Sequence, residues 1–306
     1  MRVRTLIGLS AALFLAGSNP GRAQIIDHSH PSAGNEDLVA TQSYPWGPMF
    51  LGAVCRMTDK GTDEAASIFS REKVNITRFR NSFEFQILSG GPGDTTTGEG
   101  NCADGITFTI QNAAPDALGG GGGSLGYAGI PHSVALKLDC VPNPGDPSVS
   151  STGLFVNGAV PIGGTDLLQD GISLRSQHPF RVDMEYDGRI LGVEITDMLT
   201  GVVSTRVYKI DIPATIGSRV AYVGFTAATG LGSSAQDLHK WYFASEPLPV
   251  LFQGRSERVS NLRSSRHKAL VPEGATVAAW PTTTMPRTPR MAAVRKNSVE
   301  NVARDH

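Results

Sequence analysis

The chain has 306 residues, 40% of them hydrophobic, which is enough for a real core and leaves room for one large β domain or two ordinary ones. A chain disordered throughout is excluded. A formal net charge of -1 gives no global pull toward nucleic acid or anionic membranes, so partners must be argued from local features.

Residues 1–23, MRVRTLIGLSAALFLAGSNPGRA, have the layout of a secretory signal: Arg2 and Arg4, an apolar run from Thr5 to Ala16, and a small-residue exit at Gly21-Arg22-Ala23. The apolar run is too short to span a bilayer as a helix, and no later stretch reaches that length, so no membrane span is expected. The mature protein is expected to begin near Gln24 and to be secreted or periplasmic. Cys55, Cys102 and Cys140 would then fold in an oxidising compartment, where an odd count leaves one thiol over. No Cys/His spacing suits zinc.

Residues 24–37 are polar and aperiodic and read as a flexible lead-in, with His28 and His30 solvated. From Leu38 to Ser245 short alternating runs recur between turn signals: VNITRF, SFEFQIL, GITFTIQ, SVALKLD, FRVDMEY, ILGVEIT, STRVYKIDI, RVAYVGFT and LHKWYFA. Asp187-Gly188 is the dipeptide of a tight hairpin. Strands at this spacing predict one all-β domain over 38–245, an antiparallel β-sandwich or jelly roll. Residues 246–306 lose the pattern, and Arg and Lys from Arg255 to Arg304 outnumber Glu257, Glu273, Glu300 and Asp305. A basic, disordered tail is predicted there, with no motif that points to nucleic acid.

Chemistry concentrates around residues 137–146. In SVALKLD the strand alternation puts Lys137 and Asp139 on one face and delivers Asp139 to the strand end. Asn143, Asp146 and intervening carbonyls then offer the oxygen donors that calcium takes, although a proline-rich turn accounts for the same spacing. Asp183, Glu185 and Asp187 share a strand face, as paired carboxylates of a glycoside hydrolase would, but that strand runs straight into the hairpin and reads as a solvated face. The glycines from Gly119 to Gly123 lack the Gly-Lys-Ser/Thr and helix of a phosphate loop.

ValAlaLeuLysLeuAsp followed by ProAsn and GlyAspProSer resembles the metal-binding segment of the L-type, or legume-like, lectins. Ala103-Asp104-Gly105 before ITFTIQN resembles that family's first sugar-binding loop, and LGGGGGSLGYAGI its second. GFTAATGLGSSAQDLHKWYF is similar to its closing strand, fourth loop and final strand, and VNITRFRNSFEFQI to its early strands. The likeness runs in order over 38–245, and KLD followed by STGLFVNG places it nearest the bacterial secreted branch.

The resemblance implies a secreted, non-enzymatic, calcium-dependent carbohydrate-binding protein acting on glycans or polysaccharide. It implies one calcium ion on Asp139, the Val141 carbonyl, Asn143 and Asp146. A second, transition metal is not expected, because Lys137 and Ser151 stand where the family has a glutamate and a histidine, and the Lys137 ammonium would stand beside Asp139 instead. Asp104, Asn143, a backbone N–H near Gly121 or Gly122, and the fourth loop at Gly230-Leu231 would contact sugar, with Tyr127 or Leu231 supplying apolar surface in place of an aromatic at Val141. The Ala103-Asp104 peptide would be cis, and Cys102 and Cys140 would come within disulfide reach, with Cys55 buried. Such sandwiches often pair through their sheets, so a homo-oligomer is allowed for. Two other readings stand beside this one: a surface interaction module that has lost sugar binding, and a glycoside hydrolase on the same fold.

Overall fold

The computed structural model describes residues 24–28, 36–45, 47–52, 54–89 and 102–245. Residues 1–23 with the expected signal layout, His30, and residues 246–306 with the expected basic tail lie outside them. Among the described residues the strands are β1 (Ile25–Asp27), β2 (Leu38–Gln42), β3 (Met49–Leu51), β4 (Val54–Asp59), β5 (Ala65–Ser70), β6 (Val74–Asn75), β7 (Phe79–Ser89) and β8 (Gly105–Gln111). They continue with β9 (Ser133–Asp139), β10 (Ser151–Val156), β11 (Thr165–Asp166), β12 (Pro179–Tyr186), β13 (Ile190–Asp197), β14 (Val203–Lys209), β15 (Val220–Ala228) and β16 (Ser234–Ser245), with a short helix, α1 (Ile212–Ile216), between β14 and β15.

They form two antiparallel sheets. One runs β14-β13-β12-β7-β16-β4-β3, the other β11-β10-β9-β8-β15-β5-β2. Consecutive strands are repeatedly separated in space, as in a jelly roll, and the apolar faces of the two sheets close on one core. Phe83 from β7 meets Phe225 from β15 edge-on at 4.9 Å, and Phe225 meets Trp241 from β16 at 5.0 Å. These edge-to-face contacts set positive ring edges against negative faces across the sheet interface.

Three local readings change. The segment 24–37 is not wholly a loose lead-in: Ile25–Asp27 pairs with Ala244, Phe243 and Tyr242. β16 is long enough that β4 covers only its first half, and the open backbone groups of the second half take β1. His28 follows, its ring stacked on Trp241 at 6.0 Å and paired with Asp37 at 3.1 Å, so it is not a solvated residue. STRVYKIDI also does not stay extended to its end. Asp211 caps α1 by accepting from the Ala214 N–H at 3.0 Å, and Pro213 in the first turn suits helix entry.

The third change concerns β8 and β9, which are buried on both faces although their pattern alternates. The outer face of this sheet lies under the glycine-rich loop 119–130. Thr107, Thr109 and Thr226 therefore satisfy one another there at 2.7 Å, and Thr226 donates to the Leu125 carbonyl at 2.8 Å. Buried hydroxyls are tolerated because each finds a partner.

Candidate functional site

Asp104 sits between β15 and β9. Its N–H donates to the Ala228 carbonyl at 2.8 Å, and its own carbonyl accepts from the Cys140 N–H at 3.0 Å. The Ala103-Asp104 peptide is cis. Its carbonyl, on Ala103, accepts from Ser234 Oγ at 2.6 Å and Gln236 Nε2 at 3.1 Å. Cys102 and Cys140 are disulfide-bonded, with Cα atoms 5.8 Å apart, so the segment carrying Asp104 is fastened to the start of the loop after β9. Cys55 is the buried free thiol, and burial pushes its pKa up to about 12.

Asp139 ends β9, between Gly105 on β8 and Ser151 on β10. A side chain at Gly105 would run into the Leu138 carbonyl, so only glycine lets the two strands approach here. Asp139 Oδ1 accepts from the Val141 N–H at 2.9 Å, and Asp146 Oδ2 accepts from the Asn143 N–H at 3.0 Å. Both carboxylates thereby shape the loop 141–146. The fully buried Lys137 ammonium lies between them, 2.6 Å from Asp146 Oδ1 and 3.1 Å from Asp139 Oδ2. The Asp139 contact is an ion pair on Oδ2, longer than the one to Asp146.

The loops converge over Asp104. A Cβ on Gly230 would lie 3.0 Å from Asp104 Oδ2 and 3.2 Å from the Gly122 Cα, and a Cβ on Gly123 would lie 2.8 Å from both Asn143 Oδ1 and Nδ2. Asp104, Gly122-Gly123, Asn143 and Gly230 are therefore brought to one place. Leu231 next to them is 98% exposed. Two expectations need correction. The Gly122 N–H donates to the Thr229 carbonyl at 3.0 Å, because the second and fourth loops are stitched together there, so it is not free for a ligand. Tyr127 is fully buried, its hydroxyl within 3.1 Å of Ser133 Oγ and the Gly158 N–H, and offers no surface. Gly123 is the residue that sequence reasoning missed: a run of five glycines carries no signal of which member Asn143 will lie over.

Asp104 is 6% exposed and its Oδ2 has no donor. Burial, and then repulsion from Asp139, raise its pKa to about 6. Burial raises Asp139 to about 6 as well, against the opposing pull of Lys137 and the Val141 N–H. Asp104 Oδ2 has neither a donor nor an ion pair, while Asp139 Oδ2 is already paired with Lys137; an unpaired buried acceptor such as Asp104 Oδ2 is costly and calls for a donor or a cation. Among the described residues no three His, Cys, Asp or Glu side chains cluster as a metal cage. A cation here would rely also on the Val141 carbonyl, the Asn143 amide oxygen and water, which suits calcium.

The fourth loop is held by the turn that carries the chain from β4 in one sheet to β5 in the other. The Asp63 N–H donates to the Gly230 carbonyl at 3.0 Å, the Glu64 N–H to Thr229 Oγ1 at 2.9 Å, and the Thr229 N–H to the Glu64 carbonyl at 2.8 Å. The Glu64 carboxyl is buried and accepts from the Asp59 N–H at 2.9 Å. Burial first, and then the neighbouring Asp59 carboxyl, raise it from the ordinary 4.5 to about 7. Between those values the folded chain holds a proton that the unfolded chain has lost, so stability should fall as pH rises from about 4.5 to about 7 and then level off. Glu64→Gln is expected to flatten that slope, which urea midpoints measured from pH 5 to pH 8 would read.

The carboxylates Asp183 and Glu185 lie on the other sheet, away from these loops. Asp183 accepts from Ser82 Oγ at 2.7 Å and Arg181 Nε at 3.0 Å, Glu185 pairs with Arg80 at 3.5 Å, and Asp187 caps its own hairpin through the Arg189 and Ile190 N–H groups. They form an ion-paired face, not a hydrolytic pair across a cleft.

A two-sheet jelly roll with a buried aspartate, an asparagine and two glycine loops meeting at one rim has the architecture of the lectin class. The chain belongs to the legume lectin family, whose domain model matches residues 46–252. A Robinia pseudoacacia sequence assigned as the bark agglutinin LECRPA3 is 30% identical over 149 residues, 47% of this chain and 52% of that protein. The match thus spans about half the length of that relative. Among solved structures, basic winged bean lectin with Tn-antigen superposes with a TM-score of 0.61 at 21% identity, covering 74% of this chain and 100% of that one. Peanut lectin with a 9mer peptide superposes with a TM-score of 0.57 at 21% identity, covering 75% and 100%. These likenesses establish the fold, and the family is one of non-catalytic carbohydrate-binding proteins.

Proposed function

We propose that the protein is exported, as a member of the bacterial secreted branch, and binds a glycan in a calcium-dependent way at the rim formed by Asp104, Gly123, Asn143 and Gly230-Leu231. The observation that carries this reading is the buried, donorless Asp104 Oδ2 facing Gly122 and Gly230. A carboxylate oxygen of this kind accepts from sugar hydroxyls, and the Asn143 amide can donate to another while its oxygen turns toward calcium. A Cβ at position 230 would press on Asp104 Oδ2 at 3.0 Å, so glycine there lets the fourth loop lie close over the carboxylate, and Leu231 supplies the apolar contact. With no exposed aromatic at Val141 to stack on a sugar face, affinity per site is expected to be low.

Charge counting supports one calcium. Asp104, Asp139 and Asp146 bring three negative charges and Lys137 one positive, so the remaining two negative charges match one divalent ion. Asp139, the Val141 carbonyl, Asn143 and Asp146 would hold it.

The test is a glycan array probed with the full-length chain, before and after chelation and with calcium restored. Binding should vanish on chelation and return with calcium, and Asp104→Ala should weaken it by roughly 10- to 100-fold, the loss expected for hydrogen bonds to a charged group. A chain that binds no glycan, and whose melting ignores chelator, would favour the interaction-module reading instead.

A further inference from the structure

Lys137 is fully buried, an unusual place for a lysine. Its surroundings are built to receive it. Gly153 stands opposite Lys137 on β10, so no side chain competes for the space, and the Lys137 carbonyl accepts from Thr152 Oγ1 at 2.7 Å. The Phe155 ring lies 5.7 Å from the ammonium, offering its negative face. On the remaining sides are two carboxylates, and each holds a backbone N–H of the loop that follows. Asp139 holds Val141, while Asp146 holds Asn143 through Oδ2 and Gly163, at 2.7 Å, through Oδ1.

We infer that Lys137 is the positioning residue of this loop, a tethered cation that draws Asp139 and Asp146 together and so sets Asn143 where the structure has it, in the place a second metal ion would take. An ammonium 2.6 Å from Asp146 Oδ1 and 3.1 Å from Asp139 Oδ2 fills the space between those two oxygens, so a second divalent ion has no place there, and the proposed calcium would have to reach the two residues through Asp139 Oδ1 and Asp146 Oδ2. An ion sharing those two oxygens would also sit directly against the ammonium, like charge against like. Ser151, paired with Asp139 across β10, adds only a hydroxyl, a poor ligand for a transition metal. The residues present therefore do not fit a second, transition-metal ion. One cation of the loop is carried by the chain itself, and chelation can remove only the other.

The inference rests on the proposed ligand site only for its consequence for binding, since the experiment reads metal uptake and folding with no sugar present. The calcium-saturated full-length chain is titrated with Mn2+ and its melting and bound manganese are measured. No retained manganese and no shift in melting are expected. Lys137→Met should leave two carboxylates facing each other unpaired, lowering the melting temperature by roughly 10 °C. It should also speed hydrogen exchange at the Val141 and Asn143 amides, and added Mn2+ should return part of the loss by entering the vacated space, a rescue that a merely space-filling lysine would not permit. Wild-type manganese binding that disappears with Asp146→Asn overturns the inference, as does a Lys137→Met chain with unchanged melting and amide protection. If that variant does not fold, the wild-type titration decides alone. Failure of the glycan array would leave each of these readings standing.

Discussion

Replacing Cys102 and Cys140 together by serine is expected to destabilise the domain by about 4 kcal/mol, the loop-closure entropy restored to an unfolded chain when residues 38 apart are released. Few single features of the fold should cost as much. The bond also joins the two segments that the site needs at fixed separation: Cys102 lies two residues before Asp104, and Cys140 directly after Asp139. The Cys140 N–H bond to the Asp104 carbonyl remains in the serine variant, so the two segments are still paired but less firmly. Denaturant unfolding of the double variant should show the midpoint falling while the slope changes, because an unbridged chain exposes more surface when unfolded. Cys55→Ser is the control. It touches neither segment and sits buried near the Met57 sulfur, so its cost should be smaller and its slope that of the wild type.

Much of this site was legible before any coordinates, for physical reasons that differ by residue. Strand alternation is a local property, so SVALKLD was enough to put Lys137 and Asp139 on one face at the end of β9. Asp187-Gly188 likewise sets its own hairpin, with Gly188 at φ 97°. The resemblance supplied the order of the loops and the Cys102 and Cys140 pairing. What sequence reasoning did not reach is what depends on where a distant segment comes back. Asp146, which closes the cage around Lys137, sits nine residues further on, and only the loop's return brings it within 2.6 Å.

The same cause explains the errors. Ile25–Asp27 looks aperiodic because three residues carry no period, and its strand is imposed by the free edge of β16. Tyr127 reads as an exposed loop aromatic, yet the loop folds its ring inward against Ser133 and Gly158. Thr107 and Thr109, on which the sequence is silent beyond strand alternation, are covered by the glycine-rich loop. Each is a non-local effect that overrides a sound local signal.

The glycine run offers the sharpest separation between backbone freedom and ligand geometry. A Cβ at Gly121 would meet nothing nearer than the Thr229 carbonyl at 3.8 Å, an ordinary contact, whereas one at Gly123 would lie 2.8 Å from both polar atoms of the Asn143 side chain. Neither position has a left-handed backbone, so alanine is not strained at either for conformational reasons. The neighbour that must yield at Gly123 is the far end of a side chain, which can swing aside at small cost to folding. Gly123→Ala should therefore melt within a few degrees of the wild type while displacing Asn143 from the rim. Glycan binding should fall by roughly 10-fold or more, the worth of one good polar contact together with misplacement of its partner. Gly121→Ala should leave both melting and binding unchanged. Measured by isothermal titration against whichever glycan the array identifies, equal affinities for the two variants would mean that Asn143 takes no part in recognition, and the rim would have to be redrawn around Asp104 and Leu231 alone.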